Sequence, residues 1–169
     1  PYVHDFRGKT FVVAFGGELI EDGGLEDLVA DLSLLSALGI KLVLVHGSRP
    51  QVNEQLRLKG HTTQFGRGTE PTSPEALECA KEAAGELRLD IEAAFSQGLP
   101  NTPMSHAKIR VISGNFVTAR PVGLIDGVAY RRAGTLRKLD IDAMRPVINQ
   151  GAIQLPSPRR LSPPRQAST

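Results

Sequence analysis

The residues best placed to do chemistry in this 169-residue chain follow two apolar runs. In KLVLVHGSRPQ, residues 41–51, the run Leu42–His46 stops at Gly47, passes through Ser48-Arg49-Pro50 and enters the helix-like VNEQLRLKG. In TFVVAFGGELI, residues 10–20, the run Phe11–Phe15 stops at Gly16-Gly17. A strand, a small-residue turn and a helix start aim backbone N–H groups, and the positive end of a helix dipole, at an anion. Paired glycines also let the backbone approach a ligand closely or turn sharply. Gly16, Gly17, Gly47, Ser48 and Arg49 are therefore the candidate anion or ligand loops. The same geometry also makes an ordinary βα turn. No residue is assigned a catalytic role.

Metal and nucleophile chemistry find no support. His4, His46, His61 and His106 are scattered, without the i,i+4 or CxxC-like spacing of ligands. His46, at a strand end, is open to two readings, ligand contact or structural hydrogen bonding. There is no GxSxG and no P-loop. The single cysteine, Cys79, has Ala76, Leu77 and Ala80 around it, which suggests a helix face and a small core residue. One cysteine rules out an internal disulfide and suits a reducing compartment.

The elements that must position these turns can be read from periodicity. Both apolar runs lack alternation, the pattern of strands buried on both faces in a parallel sheet. Between them, Leu25, Leu28, Val29, Leu32, Leu35 and Leu38 recur at helical spacing, with Glu26, Asp27 and Asp31 opposite and Gly39 as a terminal glycine. This is a βαβ unit with an expected right-handed crossover, and both turns then lie on the sheet edge where ligands of open α/β folds bind. Ser73 and Pro74 open a second helix with Leu77, Ala80, Ala84, Leu87 and Ile91 on one face. AKIRVISG and NFVTARPVG read as two strands joined by a hairpin-type turn at Gly114-Asn115. Further strand signals lie at Gly127–Tyr130 and Thr135–Leu139. A helix from Ile141 to Asn149 should be kinked or divided by Pro146. The opening PYVHDFRGKT is expected to be irregular.

Composition bounds the rest. The chain is long enough for a real core, and no apolar run reaches the roughly 18 residues needed to span a bilayer. No signal-peptide pattern occupies Pro1–Gly8. Arg159, Arg160 and Arg165 are the only charges after Gly151, leaving 17 basic against 18 acidic groups before residue 155. A near-neutral body argues against nucleic acid as the main partner.

FVVAFGGELI, LLSALGIKLVLVHGSRPQVNEQL, LECAKEAAGELRLDIEA, LPNTPM and IRVISGNFVTARPVGLIDGV, in this order, resemble the amino-terminal part of bacterial N-acetylglutamate synthases. The likeness covers roughly residues 2–153. It implies an α/β fold, an αβα sandwich with a mostly parallel sheet, related to acetylglutamate kinase and represented here by its N-terminal part only. In that family the region is regulatory: it responds to arginine and assembles homo-oligomers. A separate carboxyl-terminal domain transfers acetyl from acetyl-CoA to glutamate, the first step of arginine biosynthesis. The resemblance therefore implies a cytoplasmic, self-associating chain with no cofactor of its own, acetyl-CoA being the co-substrate of the whole enzyme.

The resemblance also marks departures from kinase chemistry. Active acetylglutamate kinases carry a lysine two residues before the GG; this position is Ala14. Phosphoryl transfer depends on such fixed positive charge. The kinase glycine run before proline is Gly47-Ser48-Arg49-Pro50, and the family's Arg-Val-Thr-Asp motif falls at Glu70-Pro71-Thr72-Ser73. Even DGVAYRRAG departs from the usual DGVDYxHxG, at Ala129 and Arg132. A regulatory or assembly region with no activity of its own is the leading expectation, and a divergent amino-acid kinase the alternative. The expected organisation is a kinase-like body over 1–154 and a disordered tail over 155–169, whose four prolines and three arginines cannot build an apolar face. The tail reads either as a basic interaction segment or as a frameshifted or truncated reading frame. The latter is favoured, because the family likeness stops where the composition changes. The chain then ends before the acetyltransferase domain.

Overall fold

The computed structural model describes residues 2–62, 73–98, 108–125 and 128–156. Its centre is a four-stranded parallel sheet built from β1 (Thr10–Phe15), β2 (Lys41–His46), β3 (Val111–Gly114) and β6 (Ile153–Pro156), in the order β1-β2-β6-β3. Helices α2 (Gly17–Glu21) and α3 (Leu25–Ala37) connect β1 to β2, and α4 (Arg49–Leu58) and α5 (Pro74–Gln97) follow β2. A separate antiparallel pair is formed by β4 (Val117–Ile125) and β5 (Val128–Leu139). The helix α6 (Ile141–Asn149) leads back into β6, and a single turn, α1 (Tyr2–Phe6), precedes β1. The α/β class and the mostly parallel sheet agree with the sequence reading.

Register explains the layering. Pairs such as Phe11 with Leu42 and Val13 with Leu44 put alternate residues of adjacent strands on one face. On that face Leu42, Leu44, Ile153 and Leu155 pack with Val29 and Leu32 of α3 and Ile91 and Phe95 of α5. Each such side chain contributes about 1.5–3 kcal/mol of transfer free energy when fully buried. A second cluster joins Val52 and Leu56 of α4 to Ala76, Cys79 and Ala83 of α5. One 24-residue helix thus links two cores, its amino-terminal half on α4 and its carboxyl-terminal half on the sheet. Its start is fixed by Ser73, whose Oγ accepts from Ala76 N at 3.0 Å, and by Pro74 in the first turn.

The opposite face of the sheet is only partly covered. There α6 lies against β2 and β6, Lys41 Nζ donating to Asn149 Oδ1 at 2.8 Å, with Met144 buried. Val12 and Val45 on the same face are 67% and 43% exposed.

Several expectations change in the folded chain. β1 is not buried on both faces: it is an outer strand with alternating exposure, and only Leu42–Leu44 of β2 show the continuous burial read from both runs. The opening segment contains the short helix α1. Gly114-Asn115 does not join a hairpin. β3 pairs in parallel with β6, Val111 opposite Ile153, and the hairpin is β4–β5, which absorbs both later strand signals. Pairing of a half-buried strand within the main sheet outweighed a local turn signal. Pro146 sits within a continuous α6 without dividing it. The buried face of α5 begins Ala76, Cys79, Ala83, one residue away from the expected Leu77, Ala80, Ala84. Cys79 is the small core residue expected, at 1% exposure. β6 runs through Pro156, so Leu155 and Pro156, assigned to the tail, belong to the sheet. Residues 157–169, which hold the rest of that tail, lie outside the described residues.

Two consequences are measurable. The exposed valines and the outer strand β1 are a described surface on which self-association is expected. Val12→Lys should lower the concentration-dependent light scattering without lowering the melting temperature; unchanged scattering would show that association uses another surface. Gln154 is fully buried, and among the described residues neither side-chain amide atom has a hydrogen-bond partner. Gln154→Met, of similar shape, should raise stability by about 1 kcal/mol by removing that desolvated amide, as read by denaturant melts. A loss of similar size would mean that the amide is satisfied in solution.

Candidate functional site

Because β1 and β2 run in parallel with Phe15 opposite His46, both chains leave the sheet side by side. All five candidate residues, Gly16, Gly17, Gly47, Ser48 and Arg49, therefore meet at one edge of the sheet. Backbone and side chain tie the two turns together. Gly47 N donates to Phe15 O at 2.9 Å, and Gln51 Nε2 donates to Gly17 O at 2.8 Å. A Cβ on Gly17 would overlap Gln51 Oε1 and come within 3.1 Å of both the Gly47 carbonyl oxygen and Pro50 Cδ. Gly17 is glycine because the other turn occupies the space. A Cβ on Gly47 would meet only ordinary contacts, the nearest at 3.4 Å.

The charges at this edge answer each other. Arg49 Nη2 lies 3.2 Å from Glu18 Oε1, with both side chains about half exposed, at 55% and 51%. The Glu18 carboxyl is held below the ordinary carboxylate range, first by a backbone N–H of its own residue and then by the Arg49 guanidinium. Ser48 caps α4 by position but makes no side-chain capping bond, and Pro50 removes one donor from the first turn. Half-buried His46 places Nδ1 3.3 Å from Gly47 O and its ring against Phe15. Burial pushes its pKa down from 6.5, opposed by that backbone contact. His46 therefore fits the structural reading better than a ligand's.

Among the described residues the edge offers backbone dipoles and the guanidinium of Arg49, which is ion-paired with Glu18. Ala14 lies next to it on the open face of the sheet, and it supplies no charge. Ser73 is the N-cap of α5, while Glu70, Pro71 and Thr72, together with Ala129 and Arg132 as side chains, lie outside the described residues. Among the described residues no three His, Cys, Asp or Glu side chains gather as a metal site. Sequence reasoning missed Glu18 and Gln51. Register is what reveals Glu18: once Phe15 pairs with His46, Glu18 and Arg49 each stand three residues beyond those partners.

A family model described as the amino acid kinase family matches residues 9–158. The chain belongs to the amino acid kinase family. Within it, the chain is 57% identical over 167 residues to an amino-acid acetyltransferase of Ralstonia nicotianae, covering 99% of this chain and 37% of that protein, so the likeness does not stop near residue 153 as expected but runs on into the proline-rich segment. Among solved structures it is similar to the N-acetylglutamate synthase of Neisseria gonorrhoeae complexed with coenzyme A and L-arginine. That likeness has TM-score 0.81 and 39% identity, over 92% of this chain and 37% of the other. The same enzyme complexed with coenzyme A and N-acetyl-glutamate gives TM-score 0.80 and 35% identity, over 96% and 38% of the two chains. The chain thus spans little more than a third of the length of these relatives.

The contrast between the two turns can be tested by substitution. Gly17→Ala should cost about 1–3 kcal/mol through overpacking against Gly47 and Pro50, whereas Gly47→Ala should stay within about 0.5 kcal/mol; chemical denaturation of both variants reads the difference. The His46 ring gives a pH dependence of defined sign. Its folded pKa is depressed, so neutral imidazole is favoured in the fold, and no stability is lost while both states are neutral. As pH falls below 6.5 the unfolded chain takes up a proton before the folded one does, and stability declines until the lower folded pKa is passed. Melting temperature should fall between roughly pH 7 and pH 5, less steeply in His46→Gln; parallel slopes would remove His46 from the account.

Proposed function

We propose that this chain is the amino-acid-kinase-like region of an N-acetylglutamate synthase, acting in regulation and assembly and not in phosphoryl or acetyl transfer. The observation that carries the reading is the 57% identity, over nearly the whole chain, to an amino-acid acetyltransferase. The whole enzyme would transfer acetyl from acetyl-CoA to L-glutamate at the entry to arginine biosynthesis, in the cytoplasm. No helix among the described residues is long and apolar enough to cross a membrane.

The geometry of the edge favours this over kinase action. Phosphoryl transfer requires fixed cations that hold and neutralise the transferring group. At this edge Ala14 stands in the strand and Arg49 is paired with Glu18. L-arginine, present in one of the similar structures, is the effector to expect, and self-association the expected assembly. The purified chain should turn over neither ATP with N-acetylglutamate nor acetyl-CoA with glutamate. ATP consumption dependent on N-acetylglutamate, above a mock preparation, would favour a divergent amino-acid kinase instead. Ala14→Lys alone should not create that activity, since Arg49 and its carboxylate still occupy the approach.

A further inference from the structure

Between α3 and the carboxyl-terminal half of α5 lies a cleft of about 460 Å³, away from the glycine turns. Half-buried Ile20, Leu25 and Ala94 and buried Val29 give it an apolar lining, and the exposed carboxylates of Glu26 and Asp90 stand at its rim. The rim continues into an acidic surface, since residues 17–40 hold six acidic residues and no basic one. Among the described residues neither Glu26 nor Asp90 has a cationic partner. An apolar centre with a charged rim is the anatomy of a protein interface, and here it calls for a partner surface that is apolar and basic. The same chain carries one. Where β5 runs into α6, Leu136, Leu139 and Ile141 are 64%, 38% and 54% exposed, with Arg137 and Lys138 exposed between them. From Val117 to Leu139 the sequence holds five basic residues to one acidic. The helix α6 lies across the sheet from α3 and α5, so the sheet separates this patch from the cleft of its own molecule. We propose that the cleft receives the Leu136–Ile141 patch of a second copy of this chain, with Arg137 and Lys138 answering Glu26 and Asp90. Two different surfaces meeting in this way make a head-to-tail contact, which closes into a ring or extends. The inference rests on the self-association proposed above and gives it a charged surface, distinct from the apolar face at Val12 and Val45.

Sedimentation velocity of the full chain over a concentration series, at low and at high salt, tests this, because salt screens a charged contact and leaves an apolar one. The variants are the patch reversal, Arg137→Glu with Lys138→Glu, and the rim reversal, Glu26→Lys with Asp90→Lys. A third, Lys9→Glu with Lys108→Glu, makes the same change in net charge as the patch reversal at exposed positions elsewhere. Circular dichroism melts verify that each variant keeps its fold. At low salt each of the first two reversals should weaken self-association about tenfold, the scale of two exposed charge pairs lost. High salt should weaken the wild type similarly, an equimolar mixture of patch and rim reversals should restore association, and the third variant should behave as wild type. Weakening by only one reversal, or no restoration in the mixture, would give that surface a different occupant and overturn the pairing. Equal weakening in the third variant would reduce the effect to net charge and overturn it as well. Association that ignores both reversals would overturn this contact and leave self-association standing, whereas a monomer at every concentration would remove both.

Discussion

The parallel pairing of β1 with β2, Thr10 to Phe15 against Lys41 to His46, is the constraint on which the rest of the structure depends. It fixes which side chains face α3 and α5, and it brings two sequence-distant glycine turns to one edge. Once Phe15 lies opposite His46, Gly17 must fit beneath Gly47 and Pro50, Gln51 can reach Gly17, and Glu18 can reach Arg49. A shift of one residue would turn the apolar set of β1 away from the core. Packing geometry and electrostatics at the edge are thus consequences of register.

The second structural dependence is β6. The strand enters between β2 and β3, so the last described residues of the chain fill the middle of the sheet, with Ile153 and Leu155 at 1% exposure. Without it β2 would itself be an edge strand. The hairpin β4–β5 stands in contrast, its two strands paired with each other and, among the described residues, with no strand of the main sheet. A two-stranded ribbon has little stability of its own.

What was legible in the sequence was local. The β1 and β2 runs, the α3 stripe, the Ser73–Pro74 helix start and the turn glycine Gly39, at φ +85°, all follow from residues within one or two turns of each other. What was missed depended on distant partners. Nothing near Val111–Gly114 announces that its mate is Ile153–Pro156, and the neighbouring Gly114-Asn115 suggested a nearer one. Pro146 argued for a kink or a break, and the break is absent, the proline sitting inside one short helix anchored at Met144. At the candidate site the five turn residues were legible because glycine reports on backbone geometry. Glu18 and Gln51 were not, because their roles appear only when the register of two strands is known.

The edge of this amino-acid-kinase-family fold brings the two glycine turns together, with Ala14 in β1 and the Glu18–Arg49 pair beside them. That account stands on β6 closing the sheet and holding β1 and β2 in register. Native-state hydrogen exchange followed residue by residue reads this most directly. Amides of Leu42–Leu44 and Ile153–Leu155 are expected to exchange slowest and together, through global unfolding, with β4–β5 exchanging far faster. Amides of Ile153–Leu155 exchanging as fast as the hairpin would contradict it, since β2 would then be an edge strand and the two turns would have no fixed relation.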